Sequence, residues 1–137
     1  MKSALLCLSS VVGSFALGGA ASAAAPAIRE TVTPLSRNAL PDIPGKELIA
    51  AEVRFPPGAS SPPHTHPAFV YAYVLSGEIV SAAGREKPRV YRSGESWHEL
   101  TGAKHRVTRN PSKSVPARLL VVFIADAGVS KLVVPAQ

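Results

Sequence analysis

The chain has 137 residues, of which 46% are hydrophobic and 18% charged, and its formal net charge is +6. A chain of this length builds one core rather than two, and 13 prolines and 10 glycines without a period exclude collagen-like and long-helix architectures. The basic residues are scattered, and no aromatic ladder runs among them. We therefore expect a solvated basic surface and no nucleic-acid partner.

Residues 1–23 have the three-part pattern of a secretory signal peptide. A short basic start precedes an apolar segment at residues 4–17, and Ala-Ser-Ala at residues 21–23 is a small-x-small cleavage site. The apolar segment is shorter than the about 20 residues that a spanning helix needs. Cleavage would remove Cys7, the only cysteine, and Lys2, leaving 14 basic against 9 acidic residues. We expect a periplasmic or secreted protein that is free of the membrane after cleavage; the alternative is a retained N-terminal anchor.

Residues 24–45 form a proline-rich lead-in, which we predict to be an arm rather than a strand or helix. Pro26, Pro34, Pro41 and Pro44 lie within it. Proline lacks the amide donor and fixes φ, so these positions favour neither regular structure. We expect the arm to pack across a neighbouring surface.

From residue 46 to residue 137, short apolar runs alternate with turn residues. The predicted strands are residues 48–55, 68–75, 78–82, 89–91, 96–99, 105–109 and 117–125, with a last edge strand at 131–134. Residues 56–63 are predicted to be a rigid proline-rich loop. The run at 117–125 lacks alternation, which fits a strand covered on both faces. Many short strands at this spacing predict an all-β sandwich or barrel.

Two of the four histidines form the sequence His64-Thr65-His66. In an extended strand, residues i and i+2 share a face, with Cα atoms about 6.6 Å apart. Two imidazoles at that spacing can both reach one metal ion, at roughly 2.0–2.1 Å from each nitrogen. Because two surface histidines in a polar loop would show the same pattern, the pair needs support from its surroundings.

The surrounding residues resemble the two sequence motifs of the cupin superfamily. The first motif, G-x5-H-x-H-x3–4-E-x6-G, is matched by Gly58, His64, His66 and Gly77. The second, G-x5-P-x-G-x2-H-x3-N, is matched by Gly94, Gly102 and His105, with Asn110 one place late. The resemblance covers roughly residues 46–125 and implies a cupin-like antiparallel β-barrel or jelly roll. It also implies a small-molecule ligand or substrate and a homodimer in which the arm is exchanged.

Two positions depart from these motifs: Val70 replaces the carboxylate ligand, and Leu100 replaces the proline. Carried over by position, the resemblance implies a divalent transition metal, one of Fe, Mn, Ni, Cu or Zn, held by His64, His66 and His105. Such a site keeps open coordination positions. We expect the missing anionic ligand to favour an anionic substrate bound directly to the ion.

Glu99 is the candidate that could restore the carboxylate, and we name it as the candidate catalytic residue. It lies six residues before His105 and shares a strand face with Trp97. If that face is interior, the carboxylate needs a metal or a ligating imidazole as its partner. If it is not, Glu99 pairs with Arg106 or Arg109 at the barrel mouth. Both alternatives stay open.

The same register places other polar residues outside the cavity. If Val70 faces inward, Tyr71 and Tyr73 face away and are expected to pack rather than catalyse. If the face of Glu99 is interior, its neighbour His98 points outward and is a surface residue. A slip by one residue would instead bring the tyrosine hydroxyls into the pocket.

Three functions follow from these expectations. The preferred one is an exported metal-binding cupin, acting as an oxygen-dependent dioxygenase or a metal-assisted isomerase or lyase on a small anionic molecule. The alternative is a non-catalytic module that binds a small ligand or a metal. The third is a scaffold whose histidines hold no metal.

Overall fold

The computed structural model describes residues 27–136, and the predicted signal peptide lies outside this range. The described residues form eleven strands and no helix, so this range holds no helix able to cross a membrane. In chain order the strands are β1 (Thr31–Ala39), β2 (Lys46–Phe55), β3 (Ser60–Ser61), β4 (His64–Thr65), β5 (Ala68–Ser76), β6 (Glu78–Ala83), β7 (Arg89–Arg92), β8 (Ser96–Glu99), β9 (His105–Arg109), β10 (Ala117–Asp126) and β11 (Val134–Pro135).

The strands pair antiparallel in two sheets. The five-stranded sheet has the order β1-β2-β10-β5-β8. The six-stranded sheet has the order β11-β4-β9-β6-β7, with β3 also paired to β9. The apolar inner faces of the two sheets meet in one core, which confirms the predicted all-β jelly roll.

Alternation along β5 and β10 builds most of this core. On β5, the side chains of Ala68, Val70, Ala72 and Val74 are buried, whereas those between them are more exposed. Along β10, alternate side chains from Ala117 to Ala125 are also buried, but those between them are only half-buried or exposed. The prediction that β10 is covered on both faces is therefore wrong for its outward face. The neighbouring strands β2 and β5 shield that face only in part.

The prediction that residues 24–45 form an arm without a strand is wrong for residues 31–39. These residues form β1, which pairs with β2 from Thr31 opposite Arg54 to Ala39 opposite Glu47. Proline is tolerated because β1 is an edge strand, and the register shifts just after Pro34. All nine residues of β1 are exposed, so backbone pairing holds the strand rather than burial.

Two smaller boundaries also differ from prediction. The loop at residues 56–63 contains β3, a two-residue strand at Ser60–Ser61. The last strand is Val134–Pro135 rather than residues 131–134, and it pairs with β4. Two-residue strands offer too short a pattern for alternation to reveal them.

Gly77 lies where the chain passes from β5 in one sheet to β6 in the other. Its φ is +74°, a backbone conformation that residues other than glycine rarely adopt. A Cβ atom here would lie 2.5 Å from the carbonyl oxygen of Pro116 and 2.8 Å from the Cα of Ala117. Both the backbone angle and the close approach therefore require glycine at this corner.

Asn110 is buried immediately after β9. Its side-chain nitrogen lies 2.8–3.2 Å from the carbonyl oxygens of Phe55, Pro56 and Val115. Its side-chain oxygen accepts a hydrogen bond from the amide of Ser112 at 2.9 Å. The side-chain amide of Asn110 thus links the loop before β10 to the end of β2. It does so although Asn110 lies one residue later than the asparagine of the second cupin motif.

Candidate metal centre

The structure brings the three motif histidines together at one end of the six-stranded sheet. His64 on β4 lies directly opposite His105 on β9, and His66 follows two residues after His64. One ring nitrogen from each of the three lies within 4.8 Å of the others. All three side chains are buried, with relative exposures of 9% or less.

The rings of His64 and His66 point their Nε2 atoms at each other. Their Nε2 atoms are 3.1 Å apart. The Nδ1 atom of His64 lies 2.8 Å from the carbonyl oxygen of Pro62, and that of His66 lies 2.6 Å from the carbonyl oxygen of Leu132. Because a carbonyl only accepts, each Nδ1 carries a proton, and in a neutral ring the Nε2 atom then presents a lone pair. Two facing lone pairs repel, and a cation bound by both removes that repulsion.

The charge state of His66 supports this assignment. Burial lowers the pKa of His66, an effect that the carbonyl of Leu132 and the charge of Glu99 only partly oppose. The ring is therefore neutral at pH 7, which is the form that binds a metal.

His105 differs because both of its ring nitrogens have protein partners. Its Nε2 atom lies 2.9 Å from the hydroxyl of Ser81 and 2.8 Å from that of Thr108. Its Nδ1 atom lies 3.0 Å from a carboxylate oxygen of Glu99. A hydroxyl can donate or accept, so these contacts can adapt to either tautomer. A metal at His105 would have to share or replace one of them.

Sequence reasoning missed Ser81 and Thr108. They are opposite each other on β6 and β9 and both are buried. The available signal was weak: Ser81 is the one polar residue in the inner part of the apolar run of β6. Only the pairing of the two strands brings both hydroxyls to the same imidazole.

Glu99 is interior, and it lies directly opposite Val70 in the pairing of β8 with β5. Residues directly opposite in an antiparallel pair place their side chains on the same face. The carboxylate therefore enters the cavity from the strand next to the one that carries it in the cupin motif.

The alternative pairing of Glu99 with a surface arginine is wrong. Arg106 instead donates hydrogen bonds to the carbonyl oxygens of Gly84, at 2.7 Å, and Glu86. Glu99 contacts the imidazole of His105, and it accepts a hydrogen bond of 3.0 Å from the indole nitrogen of Trp97.

The environment of Glu99 favours its ionised form. Burial acts to raise the pKa of Glu99, but the hydrogen bond and charge of His105, together with the Trp97 hydrogen bond, hold it below its ordinary value. Its second oxygen, Oε2, is buried, has no hydrogen-bond partner among the described residues and lies 3.8 Å from Nε2 of His66. An unpartnered anionic oxygen beside inward-facing imidazole nitrogens is a donor set that fits a divalent cation.

These side chains lie in a cavity of about 190 Å³ between the two sheets. Trp97, Phe123 and Val70 form part of its mostly apolar lining. Tyr71 and Tyr73 are not among the lining residues, as the motif register predicts. Elsewhere on the outer surface, His98 is exposed and stacks on Phe69, with 5.7 Å between ring centroids, which confirms its predicted surface position.

Comparison with known proteins identifies the family and supports the fold. A family model described as a cupin domain matches residues 51–123. The curated proteins contain no significant match. Among solved structures, an RmlC-like cupin family protein with a double-stranded β-helix fold from Methanocaldococcus jannaschii has a TM-score of 0.58 at 19% identity. That likeness covers 73% of this chain and 84% of the other, and it concerns the fold alone.

Two similar structures are enzymes by their names. An oxalate oxidase in complex with glycolate is 28% identical, with a TM-score of 0.56 over 70% of this chain. A DMSP lyase from Ruegeria pomeroyi is 27% identical, with a TM-score of 0.56 over 65% of this chain. The matches cover only 51% and 43% of those two chains. Since the family model covers more than half of the 137 residues and the fold agrees with it, the chain belongs to the cupin family.

Proposed function

We propose that this cupin binds a divalent transition metal through His64, His66 and His105, and that it acts on a small molecule in the adjoining cavity. The observation that carries the proposal is the donor set. Two Nε2 atoms face each other at 3.1 Å, with both Nδ1 protons directed at carbonyl oxygens, beside the unpartnered Oε2 of Glu99. Without a cation, this arrangement leaves buried acceptors facing one another, which is unfavourable.

The reaction we favour is a metal-assisted proton transfer, as in an isomerase or lyase. When bound, the metal would supply Lewis-acid polarisation of a substrate oxygen. Glu99 supplies the base, because its carboxylate is ionised and faces the cavity. Trp97 and His105 hold one carboxylate oxygen, which leaves Oε2 to accept the proton.

An oxidation is the second candidate, supported by the likeness to oxalate oxidase. No lysine or arginine is among the described residues that line the cavity. In either reaction, an anionic substrate group would therefore have to bind the metal itself.

Export to the periplasm or the medium is part of the proposal and depends on residues 1–23. N-terminal sequencing of protein recovered from the cell envelope or medium tests it. A chain that begins at Ala24 supports export with cleavage, whereas a chain retained in the cytoplasm with residue 1 intact contradicts it.

Metal analysis tests the proposed site. Untagged protein should carry about one equivalent of a transition metal by mass spectrometry of the dissolved sample, and His64→Ala/His66→Ala should lose it. His98→Ala is the matched control, because this histidine is exposed on the outer surface. Full metal content in the double variant would overturn the site.

Turnover assays then separate an enzyme from a binding module. Metal-loaded protein is incubated with small carboxylates, thiols and diketones while products and oxygen uptake are followed. Product without oxygen uptake supports the isomerase or lyase. Binding without any product supports the non-catalytic alternative.

A further inference from the structure

Glu30 is a second carboxylate at the cavity, outside the set of converging histidines. It immediately precedes β1, and together with Val32 and Pro34 it lines the same cavity as His64. These three residues alternate along the chain and so share one face. One carboxylate oxygen of Glu30, Oε2, is buried and has no hydrogen-bond partner among the described residues.

The backbone on both sides holds Glu30 in place. Two residues earlier, the carbonyl oxygen of Ile28 accepts a hydrogen bond of 3.2 Å from the amide of Ser60. One residue later, Thr31 begins the pairing with β2 opposite Arg54. The carboxylate of Glu30 therefore extends from a segment that is hydrogen-bonded on both sides. This pairing gives the carboxylate a defined position relative to the cavity.

The charges around the cavity are one-sided. Of the described lining residues, Glu30 and Glu99 are acidic and none is lysine or arginine. A cation at the histidines would lie beside Glu99, whereas Glu30 does not belong to the converging group. Burying a carboxylate oxygen is costly unless a donor or positive charge meets it. Glu30 as a whole is half-buried, and a donor on a molecule bound in the cavity would meet this oxygen.

We infer that Glu30 binds a positively charged nitrogen of the ligand. This inference rests on the proposed metal site, which takes the opposite, anionic end of the same molecule. The apolar side chains of Val53, Leu119 and Val121 also line the cavity and suit a short hydrocarbon spacer. The ligand class is therefore a small zwitterion, with an anionic oxygen group, an apolar spacer and an ammonium group.

The size of the cavity limits the length of the spacer. Its volume of about 190 Å³ lies below the roughly 300–1,000 Å³ of pockets for drug-sized ligands. A ligand with only a few carbon atoms between its two charged ends matches this space.

The test uses metal-loaded full chain and two matched series of probes. The ω-amino acids from glycine to 5-aminopentanoate are compared by calorimetry with the unsubstituted carboxylates of the same lengths. At one length, the ω-amino acid should bind about 10–100-fold more tightly than its carboxylate, as expected for a hydrogen bond to a charged group. Glu30→Gln should abolish that preference while leaving the carboxylate affinity within about twofold, since charge-neutral contacts remain.

Two further variants exclude a general effect of mutation. Glu30→Asp retains the charge on a shorter side chain, so the preference should persist and move to a longer amino acid. Glu86→Gln, an exposed carboxylate that does not line the cavity, should behave as wild type.

The metal content of every sample is measured alongside binding. If wild type holds no metal, the proposed function fails, and this inference fails with it. If wild type holds metal but no ω-amino acid outperforms its carboxylate, or Glu30→Gln keeps the preference, only the role of Glu30 is overturned.

Discussion

The two sheets of the molecule differ in the length of their strands and in the side chains that they contribute. Apart from β8, the five-stranded sheet consists of strands of nine or ten residues, and its inner face supplies most of the apolar core. The six-stranded sheet has strands of two to six residues, and its end carries the three histidines. The long paired strands build most of the apolar core, which we call the frame. The short strands beside turns carry polar side chains of the candidate metal centre, which we call the site.

The candidate metal centre nevertheless depends on both sheets. His64 and His105 come from the short-stranded sheet and His66 from the link after β4, but Glu99 and Trp97 lie on β8 of the long-stranded sheet. Their mutual distances are thus set by how the sheets pack. Mutations that perturb one sheet at a time can show how far frame and site are separable.

The largest effect is expected for Phe55→Ala in the five-stranded sheet. Phe55 is 2% exposed, and truncating a buried phenylalanine costs about 3–5 kcal/mol of unfolding free energy. Urea unfolding measures the loss, with Val115→Ala, at an exposed position, as the control. Metal content should be retained below the unfolding transition. Loss of metal before unfolding would show that frame and site cannot be separated.

Gly77→Ala tests the corner between the sheets. The matched control is Gly128→Ala, since Gly128 has a similar φ of +83° but no atom within 4 Å of an added Cβ. Both variants suffer the backbone strain, but only Gly77→Ala meets the backbone at Pro116. We expect it to lose about 1–3 kcal/mol more unfolding free energy than the control, the usual cost of overpacking. Equal losses would mean that the close approach is unimportant.

Glu99→Gln should weaken metal binding about 10–100-fold, the usual effect of removing a group that orients metal ligands. The amide oxygen still accepts the hydrogen bond of Trp97, but the negative charge that His105 favours is lost, so the melting temperature of the metal-free protein should fall slightly. Competition with a chromophoric chelator gives the affinity, and Glu86→Gln is the control. Unchanged affinity would remove Glu99 from the metal centre.

The smallest effect is expected for Ile79→Val in β6 of the six-stranded sheet. Ile79 is fully buried, and loss of one methylene group there costs about 0.5–1.5 kcal/mol. Chemical denaturation should show a single transition at a slightly lower midpoint. Two separate transitions would indicate that the sheets unfold independently.

Sequence alone revealed most of the strands and the three histidines. The strands at residues 96–99 and 105–109 each follow a glycine-containing turn, and motif spacing is a local property of the chain. The edge strand β1 was missed because Pro34 suggests irregular structure unless an edge position is known. Pairing between distant segments, which spacing does not encode, brings Glu99 and Ser81 to His105 and places Glu30 at the cavity.

The pairing of Val70 with Glu99 links metal loading to correct folding. If β8 shifted by one residue along β5, Glu99 would turn to solvent and His98 would turn inward. Such a misaligned molecule would present a basic ring where the cation requires an anion. Correctly aligned molecules would then hold the cation and misaligned ones would not, so the metal content of a refolding mixture would report the aligned fraction.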